Sequence, residues 1–124
     1  MGTMGSKNSS VGIEREAVAL SVTIDDTADG SGSSSIDFTV AAGGAIQIPS
    51  GSLITAIDWL AADTEDGDYL TAYESDGTTA VTQTVSADGS FIIPDTLYGK
   101  AYLKPVATFS SGSVAETITI VLKS

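Results

Sequence analysis

Neither cysteine nor histidine occurs anywhere in the 124 residues. Without histidine the chain lacks the commonest general acid/base near neutral pH and the commonest transition-metal ligand. Without either residue, Ser/His/Asp and Cys/His nucleophile arrangements and zinc-hydrolase ligand sets are excluded by inventory. An enzyme built on this chain would have to work with carboxylates, lysine or tyrosine alone. No disulfide can staple the fold, so this is not a disulfide-scaffolded module, and the redox compartment stays open. Basic side chains are also scarce: five Lys and Arg stand against sixteen Asp and Glu, a formal charge of −11. Such a polyanion is repelled by DNA, RNA and anionic membrane surfaces, so neither nucleic acid nor membrane is an expected partner. The acidity reads either as a solubility device or as a docking charge for a basic surface. No apolar run approaches the ~20 residues of a membrane-spanning helix, and Met1 to Ser10 lacks the apolar stretch of a signal peptide, so synthesis without export is expected.

What is present is a β pattern. A chain of this size removes roughly two-thirds of its extended surface from water on folding, enough for one core. Residues 1–16 are small and polar (Lys7-Asn8-Ser9-Ser10, Glu14-Arg15-Glu16), with Val11 and Ile13 as the apolar points. They are expected to form a flexible N-terminal arm, and two apolar residues two apart would suit strand addition to another subunit's sheet. The opening Met1-Gly2-Thr3-Met4-Gly5-Ser6 holds a second Met-Gly start, is compatible with a cloning remnant, and is left out of the fold argument. Residues 17–124 are expected to be a single β domain. Val18, Leu20, Val22 and Ile24 fall on one face, with Ala19, Ser21 and Thr23 on the other, which is the period of a half-buried strand. Asp25 to Ser35 is dense in turn formers and reads as loop.

Further strands are expected over 36–40, 45–48, 53–60, 69–74, 80–85, 91–93, 100–109 and 117–123, with Gly43-Gly44 as a turn and Pro49 as a stop. The stretch Leu53 to Leu60 is the longest apolar one and should cross the middle of a sheet. Ser75-Asp76-Gly77 and Ala87-Asp88-Gly89 place Asp-Gly where hairpin turns prefer it. Asp95 to Gly99 suggests one helical turn, capped by Asp95 and closed by Gly99. Nine or so short strands with turn signals every eight to twelve residues predict an all-β, antiparallel sandwich or barrel, jelly-roll-like or Ig-like, with the extended arm in front.

Several clusters invite a chemical reading. Asp63-Thr64-Glu65-Asp66-Gly67-Asp68 is the densest carboxylate run, and hard cations want several oxygens from one flexible loop. Its spacing fails the EF-hand pattern, because Asp68 stands where the sixth-position Gly belongs, so a solvated interstrand loop is the better reading. Asp25, Asp26 and Asp29 have a weaker claim of the same kind. Asp37 and Asp58 lie within strands and are expected to face solvent or a subunit boundary. Glycoside hydrolysis would need two carboxylates across a cleft with one pKa raised by burial, and nearly every acid here sits in a turn. Trp59, Tyr69, Tyr73, Tyr98 and Tyr102 could form a sugar platform, but aromatics scattered at strand positions are more often packing residues. No phosphate-binding loop is present. No catalytic residue, cofactor site or metal site is therefore assigned.

From about Ile46 onward the order of pieces carries a resemblance. Leu53-Ile54-Thr55-Ala56-Ile57 is followed by Tyr73-Glu74-Ser75-Asp76-Gly77 and a Thr/Val strand, then Phe91-Ile92-Ile93-Pro94-Asp95 and Leu97-Tyr98-Gly99-Lys100-Ala101-Tyr102-Leu103-Lys104. A Ser111-Gly112 loop and Thr117-Ile118-Thr119-Ile120-Val121-Leu122 close it. This order resembles the small β proteins encoded among the head genes of tailed phages and prophages, the capsid decoration and head auxiliary proteins. The resemblance implies a virion structural protein made in the host cytoplasm and located on the capsid surface. It would be held by protein–protein contacts to the major capsid protein, with no catalytic residue to carry over, and a homo-oligomer, dimer or trimer, is expected. Pro105 departs from the pattern and is expected to interrupt pairing in its strand. The alternative is an extracellular or fibre-type binding module, a carbohydrate or host-surface adhesin, which predicts exposed tyrosines gathered with Asp side chains in a concave patch.

Overall fold

The computed structural model describes residues 17–112 and 114–124; the arm expected over 1–16 lies outside them. Among the described residues there are nine strands and one 3₁₀ turn. The strands are β1 (Ala17–Asp25), β2 (Ile36–Asp37), β3 (Gly43–Ile48), β4 (Ile54–Ala62), β5 (Leu70–Thr71), β6 (Thr82–Thr84), β7 (Gly89–Ile92), β8 (Tyr102–Phe109) and β9 (Ala115–Lys123). One sheet runs β1-β9-β3-β7; the other runs β2-β8-β4, with β5 and β6 end to end along the far edge of β4. All pairings are antiparallel. The two sheets pack face to face as an open sandwich, not a closed barrel.

The alternation read from the chain accounts for the core. Val22 and Ile24 of β1, Ile46 and Ile48 of β3, and Ile118, Ile120 and Leu122 of β9 face Ile57, Trp59, Leu103 and Ala107 of the opposite sheet. Each fully buried aliphatic side chain of this size contributes roughly 1.5–3 kcal/mol relative to exposure. In β4 the alternation changes phase. Ile54 and Ile57 are both buried although three apart, because Thr55 is an extra residue: Ile54 pairs with Phe109 and Ala56 with Thr108. Such a bulge returns the next apolar residue to the core face.

Four expectations need correction. Gly43-Gly44 is not a turn but the start of β3, paired with Lys123 and Leu122; the reversal is made earlier, where the Ala41 amide donates to the Phe38 carbonyl at 3.2 Å. A Cβ on Gly44 would lie 2.6 Å from the Val121 carbonyl oxygen, so the close strand approach requires glycine there. Ala87-Asp88-Gly89 does not join a hairpin. The strands either side of it, β6 and β7, belong to different sheets, and Asp88 itself takes the positive φ of 66° as the chain crosses over. Asp95 does not cap the short helix: the 3₁₀ turn Asp95–Leu97 follows Pro94, has no side-chain cap, and ends at Tyr98.

Pro105, the fourth, does not interrupt β8. It is buried and sits opposite Trp59 of β4. The Trp59 amide donates to the Val81 carbonyl and its carbonyl accepts from the Ala72 amide, so both groups point away from β8. The Trp59–Pro105 pair is thus a non-hydrogen-bonded one, and the N–H that proline lacks would have pointed to the side where β2, two residues long, has already ended.

Two polar side chains tie the sheets together. The Glu116 carboxylate of β9 accepts from the Ser52 hydroxyl at 2.6 Å and from the Leu53 amide at 2.9 Å, fixing the entry to β4. Gln83 of β6 accepts from the Trp59 indole N–H at 3.3 Å and donates to the Ile92 carbonyl of β7 at 2.6 Å. At one edge the loop after β1 folds back on it. Ser34 Oγ accepts from the Thr23 amide, the Thr23 carbonyl accepts from the Ser34 amide, and Ser33 Oγ accepts from the Asp25 amide.

Central placement of β9 makes Ile120 the test of this core. Ile120→Ala is expected to cost about 2–5 kcal/mol in urea unfolding, while Thr119→Ala, one residue along on the exposed face, shifts stability by no more than about 0.5 kcal/mol. Gly44→Ala is expected to cost about 1–3 kcal/mol through overpacking against Val121.

Candidate functional site

The acidic loop between β4 and β5 is a surface feature. Asp63, Glu65, Asp66 and Asp68 are all exposed, the loop is closed by the Gly67 amide donating to the Thr64 carbonyl at 3.1 Å, and the Tyr69 hydroxyl donates to the Glu65 carbonyl at 2.9 Å. Asp63 and Asp68 line a shallow depression of about 510 Å³ together with Leu70 and Lys100, so both charge signs meet there. Among the described residues no three acidic side chains gather as cation ligands.

Four other carboxylates are engaged in holding turns. Asp25 accepts from the Thr27 amide and hydroxyl, and Asp29 from the Ser31 amide at 2.9 Å. Asp37 accepts from the Thr39 hydroxyl at 2.6 Å and amide at 3.0 Å. At Asp29 and Asp37 the bonds favour the ionised form: the Ser31 amide lowers the Asp29 pKa, and the Thr39 hydroxyl that of Asp37. The most strongly held is Asp76, at the tip of the hairpin that leaves the sheet after Ala72 and returns at Val81. Its carboxylate accepts from the Thr79 hydroxyl at 2.6 Å and from the Thr79 and Thr78 amides at 2.9 Å, which brings its pKa down to about 2. The tip is completed by Gly77, at a φ of 75°, whose amide donates to the Glu74 carbonyl. Asp37 and Asp58 both face solvent, as their alternation requires, and Asp58 accepts from the Thr82 hydroxyl.

The aromatic residues do not converge on one patch. Trp59 is buried in the core. Tyr98 tilts against Phe38, ring centres 6.1 Å apart, at one end of the sandwich, and Tyr73 sits on the protruding hairpin, opposite Ala80. Tyr69 packs under Lys104, whose ammonium lies 4.6 Å from the ring centre, and partial burial raises its pKa, with Glu65 and Asp66 adding to the effect.

What the surface does offer, among the described residues, is a sheet edge without a partner strand beside an apolar groove. β1 and β7 are the edge strands of the first sheet. The last third of β1 is capped by Ser33 and Ser34, whereas Ala17 to Ser21 is not. Next to that open stretch lies a groove of about 240 Å³ lined by Val18, Leu20, Val40, Ala41 and Leu122, with Asp37 and Lys123 at its rim. Val18 and Val40 are 51% and 80% exposed, so the apolar face of β1 is buried only over its second half. Alternation marks Val18 as a core residue, yet the structure leaves it half exposed in the groove.

No family model and no curated protein matches the chain. The fold is similar to the crystal structure of the SPBc2 prophage-derived protein YomS, with a TM-score of 0.58 over 93% of this chain and 99% of that one, at 12% sequence identity.

Asp76 generates a pH prediction. Its folded pKa lies below its ordinary value, so the stabilisation it gives the hairpin is complete above about pH 4 and is lost as pH falls through about 2. A carboxyl-carbon NMR titration should place its midpoint near 2, and Thr79→Val should move that midpoint up toward the ordinary carboxylate value. A midpoint near 4 in the unsubstituted protein would contradict the hydrogen-bonded geometry.

Proposed function

We propose that the protein is a phage virion structural protein that decorates or cements a tailed-phage capsid through protein–protein contacts. The observation that carries this reading is the two-sheet fold held in common with a prophage-derived protein over nearly the whole of both chains. It joins the order of strand and turn pieces from Ile46 onward that resembles head-gene β proteins. The chemistry of the surface is in keeping with it. The carboxylates of Asp25, Asp29, Asp37 and Asp76 are spent on turns, and an apolar groove lies beside a sheet edge, where a protein neighbour can use it.

In this reading the sandwich is a rigid body presented many times by the symmetry of the shell. Each contact is individually modest, and occupancy rises through multiple simultaneous contacts. The segment Val11 to Glu16 serves as the anchor toward the major capsid protein. The acidic surface docks against basic patches of the shell, so attachment weakens as salt screens it.

Co-sedimentation tests the reading. The purified protein is mixed with capsids of the phage that encodes it, prepared without it. It is expected to pellet with them at saturable stoichiometry, to dissociate as salt is raised, and to give density at symmetric positions in electron cryomicroscopy. Failure to pellet, together with a glycan-array signal and a ligand-dependent rise in melting temperature, would replace this function with that of an adhesin.

A further inference from the structure

The open half of β1 has the length, parity and chemistry to pair with itself. Thr23 directs both its amide and its carbonyl outward, to Ser34. Backbone direction alternates with a period of two along a strand, so Ala17, Ala19 and Ser21 direct theirs outward as well. These three are exposed, and no described residue caps them from that side as Ser33 and Ser34 cap Asp25 and Thr23. The uncapped stretch therefore has its centre at Ala19, a residue that points outward. An antiparallel pair with its two-fold axis at that residue uses all three outward residues at once, whereas an axis at Val18 or Leu20 leaves one of them unpaired.

We propose that a second copy of this chain docks here, β1 against β1, with Ala19 on the two-fold axis. Ala19 then faces Ala19 of the second copy and Ala17 faces Ser21, each pair exchanging both of its hydrogen bonds. Pairing stops at the Ser34 cap on either side, and within that limit this register makes the most hydrogen bonds. Val18 falls opposite Leu20 of the second copy, so the two apolar grooves, each walled by Val40 and Ala41, merge into one covered strip. The outer face carries only Ala17, Ala19 and Ser21, with no bulk to separate the strands. The first sheet thereby continues across the axis as β7-β3-β9-β1-β1-β9-β3-β7.

Charge favours this edge over other surfaces. A chain of net charge −11 repels its own copies, yet Ala17 to Ile24 carries no charged side chain, and the charged side chains at the groove rim are one acid and one base, Asp37 and Lys123. The remaining edges are poorer templates. β2 is two residues long, β7 is four, and the edge made by β5 and β6 is broken by the protruding hairpin. Residues 11–13 fit the groove less well. Val11 and Ile13 are odd-numbered, so an unbroken extension of β1 would place them on the face opposite Val18 and Leu20. Folding them back onto β1 in the same chain in register with Val18 and Leu20 would make Arg15-Glu16 a two-residue turn, and such turns want Gly, Asn or Asp.

Sedimentation velocity on the full chain over a range of concentrations tests the pairing, with near-ultraviolet circular dichroism confirming that each variant is folded. The protein is expected to reach a dimer, twice its 12.5 kDa mass. Ala19→Pro removes an outward donor at an edge, and Val18→Asp places charge in the strip; each should weaken dimerisation at least tenfold. Ile92→Asp on the opposite edge and Ile13→Asp in the N-terminal segment should leave it unchanged. A protein that stays monomeric, a trimer, or a dimer that survives both β1 substitutions would overturn the proposal. So would loss of the dimer in Ile13→Asp, which would hand the edge to the N-terminal segment. None of these outcomes depends on whether the protein binds a capsid.

Discussion

The fold depends on β9. It is hydrogen-bonded on both sides, to β1 and to β3, while Ile118, Ile120 and Leu122 press on the other sheet. The last strand in the chain is thus the inner strand of a sheet whose two neighbours come from the first half. Until it docks, β1 and β3 have no common partner and the core lacks Ile118, Ile120 and Leu122 from the middle of the first sheet. Because the chain passes from one sheet to the other at most of its connections, nearly all stabilising pairings are distant in sequence. Cooperativity follows from that, since no half of the molecule can bury its own face.

Polar groups finish what apolar burial begins. Burial is non-directional and would tolerate some sliding of one sheet over the other. Glu116 and Gln83 remove that freedom, since each is an interior-edge side chain whose hydrogen bonds reach backbone of the opposite sheet. The loop from Asp25 to Ser35 does comparable service at the edge: its serines occupy backbone groups of β1 that would otherwise stand open. Protection ends at Thr23, and the groove at Val18 and Leu20 begins where it ends. A sheet edge left open beside uncovered apolar side chains is the usual setting for strand addition.

The acidic residues take on a different meaning once placed. In sequence the runs at 25–29 and 63–68 invite a cation. In the structure Asp25, Asp29, Asp37 and Asp76 each turn their oxygens back onto amides and hydroxyls two or three residues on. A carboxylate so engaged stabilises a tight turn, and at Asp29, Asp37 and Asp76 the same bonds lower the pKa.

Much of the fold was legible in the residues. Alternation over 18–24, 45–48 and 117–122 identified the strands and, with the exceptions of Val18 and Leu20, the buried faces, because period-two burial is a local property of the strand; over 53–60 it identified the strand but grouped Leu53 and Thr55 with Ile57 and Trp59, whereas the bulge puts Ile54 in the core instead. Asp76-Gly77 was legible as a hairpin tip for the same reason, since its geometry is set by three or four neighbouring residues. Asp88-Gly89 carried the same local signal and does something else, because whether two flanking strands pair is decided by which sheet each joins. Pro105 was misjudged likewise: its tolerance depends on β2 ending before it and on Trp59 turning its hydrogen bonds toward Ala72 and Val81. The sequence by itself determined which residues would be strand, which face would be apolar and how acidic the exterior would be. Only the tertiary structure decided strand order, the role of Glu116 and Gln83, and which half of β1 stays open, because each of these is set by groups that meet in space from distant parts of the chain.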